Sequence, residues 1–167
     1  MIALQFADIK DFMNKLLCTD LFDHFLLQEA VISTYVTHTI DGRLNPDFFS
    51  PEDAPYDLIR QTAISPFSLL RPVCLQLMKG NRTPLGFRFV FQLSPENQRR
   101  TIEKSGSSFR TEDITGMFLN LKYQDQKLTC TTGISYRTFS MDKSLEQEWD
   151  RLITVFFRNH KIPYEVL

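Results

Sequence analysis

The chain has 167 residues, 43% of them apolar, and 19 basic against 20 acidic side chains give a formal net charge of −1. That length supports one domain with a sizeable core, expected to span 1–167, and the charge balance lacks the basic excess of a nucleic-acid binder. No run reaches the ~18 apolar residues of a membrane span, and Met1–Phe6 carries no basic leader before Asp8, so neither a spanning helix nor a signal peptide is expected.

Fifteen Phe against one Trp is the unusual ratio. Phe brings bulk without a polar handle, so it reads first as core filling and second as the lining of an apolar pocket. Cys18, Cys74 and Cys130 form no Cys-x-x-Cys pair. A sparse odd set suits reduced thiols in a cytoplasmic protein and gives no metal site.

In chain order, Ile9, Phe12, Met13, Leu16 and Leu17 predict an amphipathic helix over 7–18. From Phe25 to Ile40 a Val-, Ile- and Thr-rich run without Gly or Pro reads as one long strand. Its Ala30, Ile32, Thr34, Val36, His38 and Ile40 share a face. Asp41-Gly42 suits a type I′ turn into a short return strand at Arg43-Leu44. Four prolines punctuate residues 45–66, an expected surface excursion with a helix over Tyr56–Thr62; its Phe48, Phe49, Tyr56, Leu58 and Ile59 need cover.

Pro72 argues against a helix over 67–79, and Val73, Leu75 and Leu77 alternate as in a strand. Phe87, Phe89, Phe91 and Leu93 alternate after a polar turn, which predicts a hairpin. Ser94-Pro95-Glu96 is a helix start and Gly106 its stop. Thr111-Glu112-Asp113 caps a further turn. Met117–Tyr123 and Leu128–Phe139 form a hairpin about Gln124–Lys127. Leu145, Trp149, Leu152, Ile153, Phe156 and Phe157 then make one stripe on a helix over 143–159. The expected fold is α+β: an about five-stranded, mostly antiparallel sheet with the N-terminal and long C-terminal helices packed on one face.

The sharpest polar cluster is Tyr35, Thr37, His38, Asp41 and Arg43, where an imidazole, an acid and a guanidinium could do acid–base work or anchor an anion. The plainer account is a turn-forming Asp-Gly with a solvated His and an Arg paired to an acid. Asp20, Asp23, His24 and Glu29 show no metal-ligand spacing; His24 beside Phe25 reads as a packed histidine. Lys79, Arg82, Arg88, Arg99, Arg100 and Lys104 make the middle locally basic, and Arg88 stands among Phe87, Phe89 and Phe91 as in base-stacking sheets. An alternating Phe strand is more simply a core strand. No phosphate-cradling glycine loop or hydrolase motif occurs, so no cofactor is expected.

Five segments prompt a comparison: Phe22–Leu27, Thr39–Arg43, Arg82–Leu85, Phe91–Asn97 and Leu128–Gly133. On these the chain resembles an uncharacterised family of small clostridial proteins, a domain of unknown function. The resemblance implies a bacterial cytoplasmic protein and brings no activity, cofactor or catalytic residue. Thr39–Leu44 is also similar to a Ser-x-Asp-Gly-Lys/Arg segment of the riboflavin-biosynthesis reductase domain, but the parallel-sheet alternation of that fold is missing here.

Three functions stay open. The first is a non-enzymatic interaction or assembly module binding another protein or its own copy, with nucleic acid and membrane not expected as partners. The second is a small apolar-ligand carrier with a helix-grip-like pocket; the third is an enzyme using His38, Asp41 and Arg43. Candidate binding residues are Tyr35, His38, Asp41, Arg43 and Arg88.

Overall fold

The computed structural model describes residues 1–167 apart from the side chain of Leu58. Seven antiparallel strands form one sheet, in the order β3-β2-β4-β5-β6-β1-β7. They are β1 (Ala3–Phe6), β2 (Phe25–Ser33), β3 (Thr37–Asp41), β4 (Gly86–Leu93), β5 (Ile114–Gln124), β6 (Lys127–Tyr136) and β7 (Tyr164–Val166). The helices are α1 (Ile9–Leu17), the short α2 (Tyr56–Arg60), α3 (Phe67–Met78), α4 (Pro95–Ser105) and α5 (Ser144–Asn159). The fold is α+β, with more strands than expected. Two of them, β1 and β7, are segments of four and three residues, too short to declare a period. The fully antiparallel sheet also ends the reductase comparison.

One face of the sheet is apolar and covered. Phe87, Phe89 and Phe91 of β4 stand opposite Tyr123, Leu121 and Leu119 of β5, and these continue into Leu128, Cys130 and Thr132 of β6. On the other side Ile32, Ala30 and Leu27 of β2 meet the same three phenylalanines. Gln28 is an extra residue in β2, and this bulge keeps Phe25 and Leu27 on the face shared by Ala30 and Ile32. The helices lie on this side. Phe67 of α3 meets Phe91 edge-on at 5.0 Å, Phe12 of α1 lies 4.5 Å from Phe6, and Phe157 of α5 lies 5.0 Å from Phe6. These rings pack the core between the sheet and the helices.

Three expectations are corrected. The run from Phe25 to Ile40 is two strands, not one, turning at Thr34-Tyr35-Val36 where Thr34 N–H donates to the Val36 carbonyl and the Ser33 and Thr37 hydroxyls meet at 3.0 Å. This turn uses neither Gly nor Pro, so no residue announced it. Because Ile32 pairs with His38, the predicted sharing of a face by Ala30, Ile32, His38 and Ile40 survives the fold-back.

Residues 67–78 form a helix through Pro72, not a strand. The proline sits on the exposed side, while Phe67, Cys74 and Met78 bury the other, which offsets its cost of ~3 kcal/mol. His24 is exposed rather than packed. In the 45–66 excursion Ile59 gains cover and Phe48 does not; the expected cover of the Leu58 side chain lies outside the described residues.

Other elements match. Ser94 caps α4 by accepting from Asn97 N–H, Pro95 fills the first position and Gly106 ends the helix at φ 65°. Trp149 Nε1–H donates to the Phe118 carbonyl at 3.1 Å, tying α5 to β5. The β5–β6 turn places both Asp125 (φ 51°) and Gln126 (φ 61°) in the left-handed region, the type I′ geometry that favours Asn-Gly. Substituting Gln126→Gly should therefore stabilise the protein by ~0.5–1 kcal/mol, read as a higher urea midpoint at unchanged slope.

Candidate functional site

The β2–β3 hairpin carries the predicted polar cluster, and the pleat divides it. His38 stands opposite Ile32 on the helix-covered side, half-buried, with Nδ1 buried and unpartnered among the described residues. Asp41 has the opposite parity and stands opposite Glu29 on the open side. There Arg43 Nη2 and Nε–H donate to Asp41 Oδ2 at 2.8 and 3.1 Å, and Arg88 Nη2–H donates to Glu29 Oε2 at 2.8 Å. The Arg43 guanidinium holds the Asp41 carboxyl below its usual range, and Asp41 raises Arg43 in return. An imidazole and a carboxylate on opposite faces of one sheet cannot act together on one substrate, so His38, Asp41 and Arg43 do not converge.

Gly42 also has a different task from the predicted turn. It is buried against the bulge, its N–H donating to the Gln28 carbonyl at 3.0 Å, and an added Cβ would stand 1.6 Å from the Leu27 carbonyl oxygen. Arg43 pairs with Ile64 in an isolated bridge and begins no return strand.

Two predicted site residues reach a cavity: Arg88 lines one of about 320 Å³ with Val31 and Lys122, and Tyr35 lines another. At the hairpin tip Tyr35 is 93% exposed. A cleft of about 570 Å³ opens between this tip and the loop that follows α3, lined by Tyr35, Leu77, Lys79, Arg82 and Leu85 among others. Leu85 N–H donates to the Ser33 carbonyl at 2.9 Å, which locks the loop to the hairpin and leaves the Leu85 side chain 77% exposed. No acidic side chain lines the cleft, and Lys79 and Arg82 make no ion pair among the described residues. The result is two large exposed apolar groups beside two uncompensated cations, an arrangement suited to an acidic segment with an apolar anchor. In the sequence Lys79 and Arg82 belong to the locally basic middle, whereas Leu85 stands out only as the end of the Arg82–Leu85 segment. Its signal is an apolar residue following Pro84 inside a polar turn.

The profile of a family of unknown function, DUF5721, matches residues 15–165. The chain belongs to this family. No curated protein and no solved structure matches it. The match spans the hairpin, the cleft and α5, so these belong to the family's shared domain. No helix among the described residues is long and apolar enough to cross a membrane, and no group of three or more His, Cys, Asp or Glu among them could hold a metal ion.

Gly42→Ala should destabilise the protein by ~1–3 kcal/mol or more through overpacking at the bulge, whereas Arg43→Ala should leave the urea midpoint unmoved because its ion pair is solvated. Equal effects of the two would contradict the close-approach role of Gly42.

Proposed function

We propose that this protein is a cytoplasmic interaction and assembly module whose cleft beside the β2–β3 hairpin receives an acidic, aromatic-bearing segment of a second copy. The observation that carries this reading is chemical complementarity within one chain. Residues 45–59 contain Asp47, Glu52, Asp53 and Asp57 and no basic residue. Phe48 stands among them 83% exposed, edge-on to Phe49 at 5.3 Å. Asp53 Oδ2 accepts from Ser50 N–H at 2.7 Å and shapes the turn that bears the acids. An exposed Phe flanked by acids is the counterpart of a cleft bearing Tyr35, Leu85, Lys79 and Arg82.

The two patches are different surfaces, so the contact is head-to-tail, and it propagates as a chain or closes as a ring. Burying a few large side chains contributes roughly 1.5–3 kcal/mol each, against several kcal/mol lost on association. The assembly is thus weak and reversible, and its charge contribution fades with salt. The cytoplasmic part of the reading rests on thiols. Cys18 is free and exposed, Cys74 and Cys130 are free and buried, and such a set persists in a reducing compartment.

Sedimentation velocity over a concentration series tests the assembly. Wild-type mass should rise with concentration at low salt and fall back at high salt. Lys79→Glu/Arg82→Glu and Asp47→Lys/Glu52→Lys/Asp53→Lys should each be monomeric alone, and both sets in one chain should restore association. A concentration-independent wild-type mass, or charge-reversed chains that associate like wild type, would sink the proposal.

Thiol labelling offers a further check on the core. Burial pushes the Cys74 thiol up to about 12 and the Cys130 thiol higher still, leaving almost no thiolate at pH 8. A disulfide reagent should therefore titrate Cys18 alone in the native protein and all three cysteines in denaturant.

A further inference from the structure

A second cavity has another chemistry. A groove of about 370 Å³ runs between α4 and α5 and over the adjoining ends of β2 and β4. Its floor is apolar: Phe25 and Leu93 from the strands, and Trp149, Leu152, Ile153 and Phe156 from α5. The Trp149 N–H is already spent on the Phe118 carbonyl, so the indole offers the groove only its ring. One wall is cationic. Asn97, Arg100, Thr101 and Lys104 lie at helical spacing on one side of α4, and Asn159 and His160 close the end of α5. No carboxylate lines the groove. Arg100 donates one Nη2–H to Glu96 and keeps further N–H donors, while Lys104 makes no ion pair among the described residues.

The volume lies at the small end of ligand sites, and an apolar floor with a few polar groups on one rim is their usual construction. Such a groove rejects an uncharged apolar molecule less than it prefers one with a terminal anion, because the anion meets Arg100 and Lys104 where the chain meets Leu152 and Phe156.

We infer that the α4–α5 groove is a binding site for a free amphiphilic monocarboxylate, its hydrocarbon body against Trp149, Leu152 and Phe156 and its carboxylate at Arg100 and Lys104. This site shares no residue with the hairpin cleft, and its existence does not depend on self-assembly.

Trp149 is the only tryptophan, so its fluorescence reports the groove directly. Decanoate below its micellar concentration, added to the full chain, should change that emission saturably, and decanol should act at least tenfold more weakly. Arg100→Ala/Lys104→Ala should weaken decanoate at least tenfold while leaving decanol unchanged. Both side chains are exposed on a helix, so circular dichroism should show an intact fold. Leu152→Lys, which fills the floor with charge, should weaken both compounds. No saturable change with decanoate, or an undiminished response in the double variant, overturns the inference. So does a response to phosphatidylglycerol vesicles with none to dissolved decanoate, which would make the groove a contact for a lipid surface.

Discussion

Everything in this molecule depends on hiding one face of a seven-stranded sheet. The rings of Phe87, Phe89 and Phe91 run along its centre, with Phe89 and Phe91 stacked nearly parallel at 8° and Phe67 edge-on to Phe91. A face so apolar must be covered along its length, and the helices are placed to do so. From α3 comes Phe67, from α1 Phe12, and from α5 Trp149, Ile153 and Phe157. The bulge at Gln28 serves the same end. Without the extra residue the alternation would turn Phe25 and Leu27 outward, and the aromatic contacts from Phe25 to Phe22 and Phe91 would be lost. Gly42 is part of that device, because only a residue without Cβ can lie against the bulged backbone.

The core face is packed with rings, and the two clefts described above lie at its margins. The uncovered face carries polar and charged residues such as Glu29, Arg88, Asn120 and Lys122, and Glu29 and Arg88 pair in solvent. Among the apolar side chains at these margins, Tyr35 and Leu85 at the hairpin end form one group, Phe48 in the excursion a second, and the half-buried Leu152 and Phe156 of the α4–α5 groove a third; Phe139 and Met141 are exposed as well. Cations line the first and the third without acids among them, whereas residues 45–59 around the second carry acids and no basic residue. That segregation gives the margins distinct chemistry in a chain whose total charge is close to zero.

The parts legible in the sequence are those in which one strong local signal had no rival. Ser94-Pro95 and Gly106 bracket α4 by capping chemistry alone, and the stripe from Leu145 to Phe157 defines α5 because its burial repeats on a single face. Reading failed where tertiary contacts overruled local rules. Pro72 reads as a stop, but it costs little on the exposed side of a helix whose other side buries Phe67, Cys74 and Met78. Asp41-Gly42 is the strongest turn dipeptide in the chain, yet the turn lies upstream at Thr34-Tyr35-Val36 and the glycine serves a close approach instead. Of the predicted site residues, Tyr35 reaches a cleft and Asp41, Arg43 and Arg88 share the open face. His38 is set apart, since a shift of one parity is invisible until the strand pairing is known.

The α4 helix is the part least explained by stability. It is polar, and it buries only Gln98, Thr101 and Ile102. Its two i,i+4 ion pairs, Arg99–Glu103 and Arg100–Glu96, are solvated and contribute little. An element of this kind is held in place by its caps and by modest packing on α5, so its sequence is free to answer to something other than the core. What it presents to α5 is a row of Asn97, Arg100 and Lys104 above an apolar trough floored by Leu152 and Phe156. A polar helix that rims an apolar trough with cations suits the amphiphilic anion inferred above, whose hydrocarbon would complete the packing between α4 and α5.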